Sequence, residues 1–549
     1  MRMGRLCRAA LDPGAWRRQA GRLRVGLERK VLWRRLNDAF RRHLRLPSAA
    51  EGATVLADGL WDNPNQFFRL RLFLEALAPE SRQQLAAVLR TPGDRSRETL
   101  EALGFTRFFC LSDDPVSPAD RAAARSLLAG VRSHADLLGL PMPGGLPADI
   151  FYDTALKLAR HAQPALDHPV WTECLADVFR LHRFYARVFG AIDVRTVVLS
   201  HPWKNEFGAA LWCALSNGVT SFHLNGMYEV MRIRRFDRAD QFFVPMEAMS
   251  AAEFAALPKP AQSNLAAAGM AYLDERAQGT NSDINQVLAY RNPEAGAALR
   301  ARLGIPADRP VALICCHVWY DFPHSFGMRN FTDFRDWTAA VLGVAYGKDD
   351  VTWLIKPHPT ESWYGGFRLA DLTGTPPEHV RVLDEDVSVL AALEIAAAVV
   401  TVHGTVAVEA AARGIPVLCA DKSLFSDWEF SVVAASRDEF LQRLSAIETL
   451  PAPDPQQIAR AAAYAYLAVG PGEPETGLLR LPADHVAPAR MFGNLLALAT
   501  NGGVVRQQGR LIADWLDSGS SSFAVHHKVR LHDARPHDAV ELQGIGNNA

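Results

Sequence analysis

Between Ala397 and Lys422 the chain reads AAVVTVHGTVAVEAAARGIPVLCADK, and few folds accept residues in that order. The first six residues are an apolar, largely β-branched run with no polar alternation, which fits a strand covered on both faces, as in a parallel sheet. His403-Gly404-Thr405 follows at once. The apolar spacing then lengthens to a helical period through Val406, Ala407, Ala410 and Ala411, with Gly414 placed to end the helix and Pro416 to bar its continuation. Pro416 to Ala420 reads as a second buried strand. The stretch is a βαβ unit, and it commits this part of the chain to an α/β fold.

The turn has chemical content. Gly404 allows close backbone approach, and the N–H groups at the helix start, with the Thr405 hydroxyl, make an anion site suited to phosphate. Glu409 lies one turn beyond Thr405 on the same face, placed to accept hydrogen bonds from ribose hydroxyls. Taken alone, the same residues also read as a tight turn, a helix cap and a solvated charge. The preceding units favour the chemical reading. Val351 to Ile355 is a buried strand ending in Lys356-Pro357-His358-Pro359, whose prolines hold His358 on a stiff, extended loop. Pro310 to Cys316 is another strand, with His317 at its end. Open α/β sheets bind ligands at the carboxyl ends of their strands, where His317, Lys356, His358, His403, Gly404, Thr405 and Lys422 all fall. Their convergence predicts a phosphate or nucleotide site.

The KPHP after a strand, then strand, HGT, a helix with Glu, and GIPV, resemble the capsule and surface polysaccharide biosynthesis glycosyltransferases of GT-B fold. Related patterns occur in bacterial Kdo and sialic acid transferases and in CDP-glycerol glycerophosphotransferases. The likeness spans roughly residues 195 to 435. It implies that His358 and Thr405 hold the phosphate of a nucleotide-activated donor, CMP- or UDP-linked, used as co-substrate with no other cofactor. Kdo-transferring members tend to carry Ser-Ser or Ser-Gly where this chain has His403-Gly404-Thr405.

With 549 residues the chain is long enough for two or three domains. A formal net charge of -1 gives no global attraction to nucleic acid. The seven cysteines show no CxxC spacing and mostly sit in apolar runs, as expected of reduced core residues in a cytoplasmic protein. No secretory signal or membrane span is evident; Ser388 to Val402, the longest apolar candidate, is interrupted by Glu394 and too short to cross a bilayer.

In chain order, residues 1–50 form a basic extension crowded with arginine, in which Leu23, Leu27 and Val31, and then Leu36, Phe40 and Leu44, recur at helical spacing. An amphipathic helix of this kind suits an anionic membrane surface, through residues 1–45. The competing expectation is a helix packed on the body with its basic face in water. Residues 51–245 read as a Rossmann-like domain with a helical insertion between Pro115 and Ala191, 246–305 as a helical connection, 306–470 as a second Rossmann-like domain, and 471–549 as a partly ordered extension. The predicted fold is therefore α/β and GT-B-like: two doubly wound domains facing a cleft, donor nucleotide on the second and acceptor on the first.

The reaction implied is glycosyl transfer to a surface glycan or lipid-linked acceptor, at the inner face of the cell membrane. Asp58, Asp62, His201 and Glu206, at strand ends of the first half, are the candidate bases for the acceptor hydroxyl. No metal site is expected, because His317 and His324 are irregularly spaced and Asp384-Glu385-Asp386 reads as a solvated turn. The alternatives are a CDP-alditol phosphotransferase and a non-catalytic assembly subunit that keeps the fold.

Overall fold

A computed structural model of the chain describes residues 28–77, 83–226, 229–243, 249–278, 289–290, 292–470, 474–481 and 488–533. The part of the basic extension before residue 28, including Leu23 and Leu27, lies outside the described residues. The chain divides into two compact units: Met1–Asp113, Ile192–Ser200 and Leu479–Ser518 form one, and Asp114–Ala191, His201–Leu478 and Gly519–Ala549 the other.

In the first unit, β1 (Thr54–Asp58), β2 (Gln84–Leu89), β3 (Arg107–Cys110) and β4 (Val194–Leu199) pair in parallel in the order β3-β2-β1-β4. Every residue of β1 and β2 is buried, the two-sided cover that unbroken apolar runs require. Residues 28–39 form helix α1, which passes into a π turn over Phe40–Leu44. Val31 is exposed, but the stripe that begins at Trp33 is turned inward. Trp33, Leu36, Phe40 and Leu44 are buried. Trp33 Nε1 donates to Thr99 Oγ1 at 2.7 Å, and its ring meets Phe67 and Phe492 edge-on. Arg34, Arg35, Arg41 and Arg42 face outward. Helix α2 (Pro64–Ala76) starts where Asn63 Oδ1 accepts the Asn65 N–H at 2.9 Å and Pro64 presets the first turn. Arg71 of α2 donates from Nε to the Leu44 carbonyl at 2.6 Å, holding the end of the π turn.

In the second unit the helical insertion includes α3 (Ala148–Ala159), and the hairpin of β5 (Thr220–Asn225) and β6 (Arg232–Phe236) is antiparallel. Strand β6 was not expected, since its sequence RIRRF carries charge on both faces. Each of its arginines has a partner: buried Arg232 donates to the carbonyls of Ala468, Val469 and Gly470, Arg234 to Ser521 Oγ at 2.9 Å, and Arg235 pairs with Asp237. Helix α4 (Lys259–Ala277) leads to a six-stranded parallel sheet of β7 (Val311–Cys315), β8 (Thr352–Lys356), β9 (Val380–Val382), β10 (Ala398–Thr401), β11 (Val417–Cys419) and β12 (Val432–Val433). The order β12-β11-β10-β7-β8-β9 is Rossmann-like: the chain moves outward from β7 through β8 and β9, then returns to the other side of β7 as β10. Helices α5 (Phe334–Gly347) and α6 (Val406–Ala412) follow β7 and β10. Helix α7 (Pro455–Tyr464) continues as a π turn over Ala465–Val469. Both units are thus α/β with parallel sheets and reversed strand order.

Beyond Gly470, where the sequence signal is weak, helices Pro488–Thr500 and Gly502–Ser518 belong to the first unit and α8 (Phe523–Asp533) to the second. Lys528 of α8 is fully buried and donates to the carbonyls of Tyr466, Leu467 and Gly470 at 2.7, 3.0 and 2.7 Å. Those acceptors explain why a segment rich in Ser and His is ordered: its lysine is spent on a helix end.

Candidate functional site

The strand order of the second unit reverses between β7 and β10, and β7, β8 and β10 end there at Cys315, Lys356 and Thr401. A cavity of about 150 Å³ opens at these ends. His317, Lys356, His358, Gly404, Thr405 and Glu409 line it, joined by Arg276 of α4. His403 and Lys422 are not among the lining residues.

Each lining group has a definite setting. Lys356 is the last residue of β8, buried, with its Nζ 3.3 Å from the Glu385 carbonyl. His358 Nδ1 accepts the Thr360 N–H at 3.3 Å and lies 2.9 Å from the Thr360 hydroxyl oxygen. Burial pulls its pKa down to about 4; the nearby Asp321 opposes this and Lys356 adds to it. His317 accepts the Val402 N–H at Nε2, at 3.3 Å, and lies flat on Phe334 with centroids 4.4 Å apart. Burial, then the neighbouring His403 and His358, hold it well below the ordinary histidine range. His403 packs beside His317 and Phe334 at 5.0 and 5.6 Å, and burial, with His324 behind it, lowers its pKa to about 3. Burial thus favours the neutral form of these imidazoles, and the cations lining the cavity are Lys356 and Arg276, the latter paired with Glu409.

A Cβ on Gly404 would stand 3.0 Å from Thr401 Oγ1, a tight contact, and 3.5 Å from His317 Cε1, an ordinary one. Thr405 does not cap α6: its own backbone is helical, at φ -59 and ψ -21, so its hydroxyl is not aimed at the first turn and makes no capping bond. The expected cap is absent and the exposed hydroxyl borders the cavity. Glu409 is not a solvated charge. It is buried, with Oε1 2.9 Å from Arg276 Nη2 and Oε2 accepting the Tyr290 hydroxyl. Lys422 is exposed, its N–H donating to Asp421 Oδ1 at 3.0 Å.

The proposed bases have contrasting environments. Asp58, in the first unit, closes β1 and receives the N–H of Ser200, the Ser200 hydroxyl at 2.8 Å and the Leu60 N–H at 3.3 Å. Burial outweighs those bonds and raises its pKa to about 6. Asp62 is exposed and pairs with Arg95 at 3.4 Å. In the second unit His201 sits among Trp203, Phe207 and Phe322, accepts the Trp203 N–H at Nδ1, and burial, reinforced by His223 and Lys204, lowers it to about 3. Glu206 lies in the first turn of the helix Asn205–Ser216.

Residues that sequence reasoning did not single out are Arg276, Tyr290 and Asp153; it weighs His324 only as a metal ligand. Asp153 on α3 binds the His324 ring at 2.6 Å and its backbone N–H at 3.0 Å, holding the loop after β7. Among the described residues no group of three or more His, Cys, Asp or Glu is arranged to hold a metal ion, and no helix is long and apolar enough to cross a membrane.

The fold and the cavity define a class: a protein of two Rossmann-like units with a pocket bearing Lys356 and Arg276 at a strand-order reversal. No family model matches the sequence, and no characterised relative matches it. Among solved structures, it is similar to KpsC of Thermosulfurimonas dismutans, a β-Kdo 2,4 transferase, at 12% identity over 51% of this chain and 85% of that one, TM-score 0.34. It is also similar to UDP-GlcNAc 2-epimerase of Neisseria meningitidis bound to UDP-GlcNAc, at 11% identity over 75% and 95%, TM-score 0.28. The glycosyltransferase SnogD of Streptomyces nogalater gives 15% identity over 82% and 100%, TM-score 0.22.

Proposed function

We propose that the protein is a glycosyltransferase of GT-B type that moves a sugar from a nucleotide-activated donor to a surface glycan or lipid-linked acceptor. The observation that carries this reading is the cavity at the carboxyl ends of β7, β8 and β10, lined by Lys356, His358 and the start of α6. These groups suit a phosphate ester. The acceptor hydroxyl oxygen bonds to the anomeric carbon, the bond from that carbon to the donor phosphate oxygen breaks, and the phosphate keeps the electron pair. Lys356 and His358 stabilise the charge so gained. The acceptor proton passes to a base, for which Asp58, Asp62, His201 and Glu206 are the candidates; burial raises Asp58 to about 6.

The outward arginines of α1 and its π turn further suit an anionic membrane as the place of action. The test is incubation of purified protein with CMP-, CDP- and UDP-activated donors and a glycan acceptor, reading released nucleotide by chromatography. Release of one nucleotide matched by glycan extension supports the reading. Transfer of an alditol phosphate with CMP release would move it to the phosphotransferase class, and binding without turnover to a non-catalytic role.

A further inference from the structure

Helix α3 holds the loop after β7 along one face. Asp149, Tyr152 and Asp153 bond to Arg329, Asp333 and His324 at 2.8, 2.7 and 2.6 Å, and Lys157, one turn beyond Asp153, pairs with Asp321 at 2.7 Å. The Asp153–His324 pair is sealed from water, whereas the Lys157 and Asp321 side chains are 24% and 46% exposed. Lys157 Nζ lies 5.3 Å from the ring centre of Phe322 and 5.8 Å from that of Tyr320. Asp321 is near enough to His358 for its charge to act there, so the pair stands beside a residue that lines the cavity. The Tyr320 hydroxyl donates to the Gly365 carbonyl at 2.6 Å, just past the short helix Glu361–Tyr364. That helix carries Trp363, which is 56% exposed although its turn is fixed to the histidine loop. The Glu361 N–H donates to the His358 carbonyl and the Trp363 N–H to the Thr360 carbonyl, both at 3.0 Å.

An ion pair standing in water contributes little to stability, and three other bonds already tie α3 to this loop. A pyranose complements such a surface: one face of C–H groups covers an indole, and vicinal hydroxyls both donate and accept. One hydroxyl can donate to the Asp321 oxygen not bound to Lys157, while its neighbour accepts from the Lys157 ammonium. We propose that Lys157, Asp321 and Trp363 form the sugar subsite for the acceptor glycan, the pair reading a vicinal diol and the indole stacking on the ring. The inference rests on the transferase reading and deepens it, placing an acceptor sugar beside His358. Lys157 comes from the insertion within residues 51–245, the part of the chain expected to hold the acceptor. A lipid surface is the competing occupant, since Leu158 of α3 is exposed too. An ion pair of no net charge gives an anionic bilayer nothing to attract, which favours the sugar.

The experiment is saturation-transfer difference NMR of the whole protein with the methyl glycosides of glucose, galactose, mannose and N-acetylglucosamine, repeated with Lys157→Met, Asp321→Asn, Trp363→Ala and His358→Ala. Wild type is expected to bind at least one glycoside, with saturation strongest on the protons of one ring face. Lys157→Met and Asp321→Asn should each weaken that binding about tenfold or more, the scale of one charge-assisted hydrogen bond. Trp363→Ala should erase the preference for one face. His358→Ala, which acts on the phosphate, should leave glycoside binding as it is. No transfer to any of the four glycosides, or undiminished binding by Lys157→Met and Asp321→Asn, overturns the proposal; if one of the two does not fold, the other decides. Loss of flotation with phosphatidylserine liposomes by Trp363→Ala, with glycoside binding untouched, also overturns it and makes the patch a membrane contact. Titration of CMP and UMP into wild type tests the transferase reading separately: a protein that binds a glycoside but neither nucleotide keeps the sugar site and loses the donor reading.

Discussion

Asp58 is buried at the end of β1, and its burial shifts an ordinary value of 3.8 to about 6. A group whose folded pKa is raised contributes stability that is complete below the unfolded value and is lost as pH rises through the folded one. Between pH 4.5 and 7.5 the wild type should therefore lose about 2 kcal/mol of folding stability relative to Asp58→Asn, at up to roughly 1.4 kcal/mol per pH unit. Chemical denaturation of both proteins at the two pH values measures this; a constant difference would mean that the carboxyl ionises normally. At the cavity, His358→Ala and Thr405→Val should each reduce donor turnover by about a hundredfold, the loss typical of one preorganised charge-stabilising donor. Near-normal rates with intact circular dichroism would remove both residues from the site.

The helix at residues 28–39 joins basic and apolar faces, and the two call for different experiments. Trp33 fills the first unit's core against Phe67 and Phe492, so Trp33→Ala should cost about 3–5 kcal/mol in denaturant melts. Removing residues 1–47 is then no clean test of membrane binding, because it deletes Trp33, Leu36, Phe40 and Leu44 from the core. Reversal of the outward charges is the proper test. Arg34→Glu, Arg35→Glu, Arg41→Glu and Arg42→Glu together should release the protein from phosphatidylserine liposomes in a flotation assay while leaving its melting temperature within a few degrees; unchanged flotation would reject an electrostatic membrane contact.

The elements also show what the amino-acid order reveals. Strands β7, β8 and β10 are legible because two-sided burial demands unbroken apolar runs, and the cavity residues follow because they sit directly after those runs. Strand β6 is hidden because its buried Arg232 is satisfied by carbonyls far along the chain, at Ala468 to Gly470. Arg276 is hidden for a related reason: α4 carries no strong apolar stripe, and its buried guanidinium looks like any solvated charge until Glu409 and Tyr272 stand opposite it. Local pattern announces burial of apolar groups. It does not announce polar groups whose partners are remote.

At the scale of the molecule, the second unit is tied together by cations at a helix end. Lys528 and Arg232 reach the carbonyls between Tyr466 and Gly470 from α8 and β6, satisfying acceptors that the end of a helix leaves open. Lys528→Met keeps much of the shape but orphans those carbonyls, and should destabilise the unit by about 2–5 kcal/mol. Thermal melts give the loss, and hydrogen exchange should show α8 opening first. A variant as stable as wild type would mean that water takes over the lysine's bonds.

Gly269 of α4 lies so close to α7 that a Cβ there would stand 1.8 Å from the Ala462 carbonyl oxygen. The two helices touch backbone to backbone at this point, with no side chain on Gly269 to absorb a displacement. Arg276 lies two turns further along α4, roughly 10 Å away. Occupancy of the cavity should then be audible at a distance: when a nucleotide fills the cavity that Arg276 lines, the amides of α7 around Ala462, which touch no ligand, are expected to exchange more slowly with solvent.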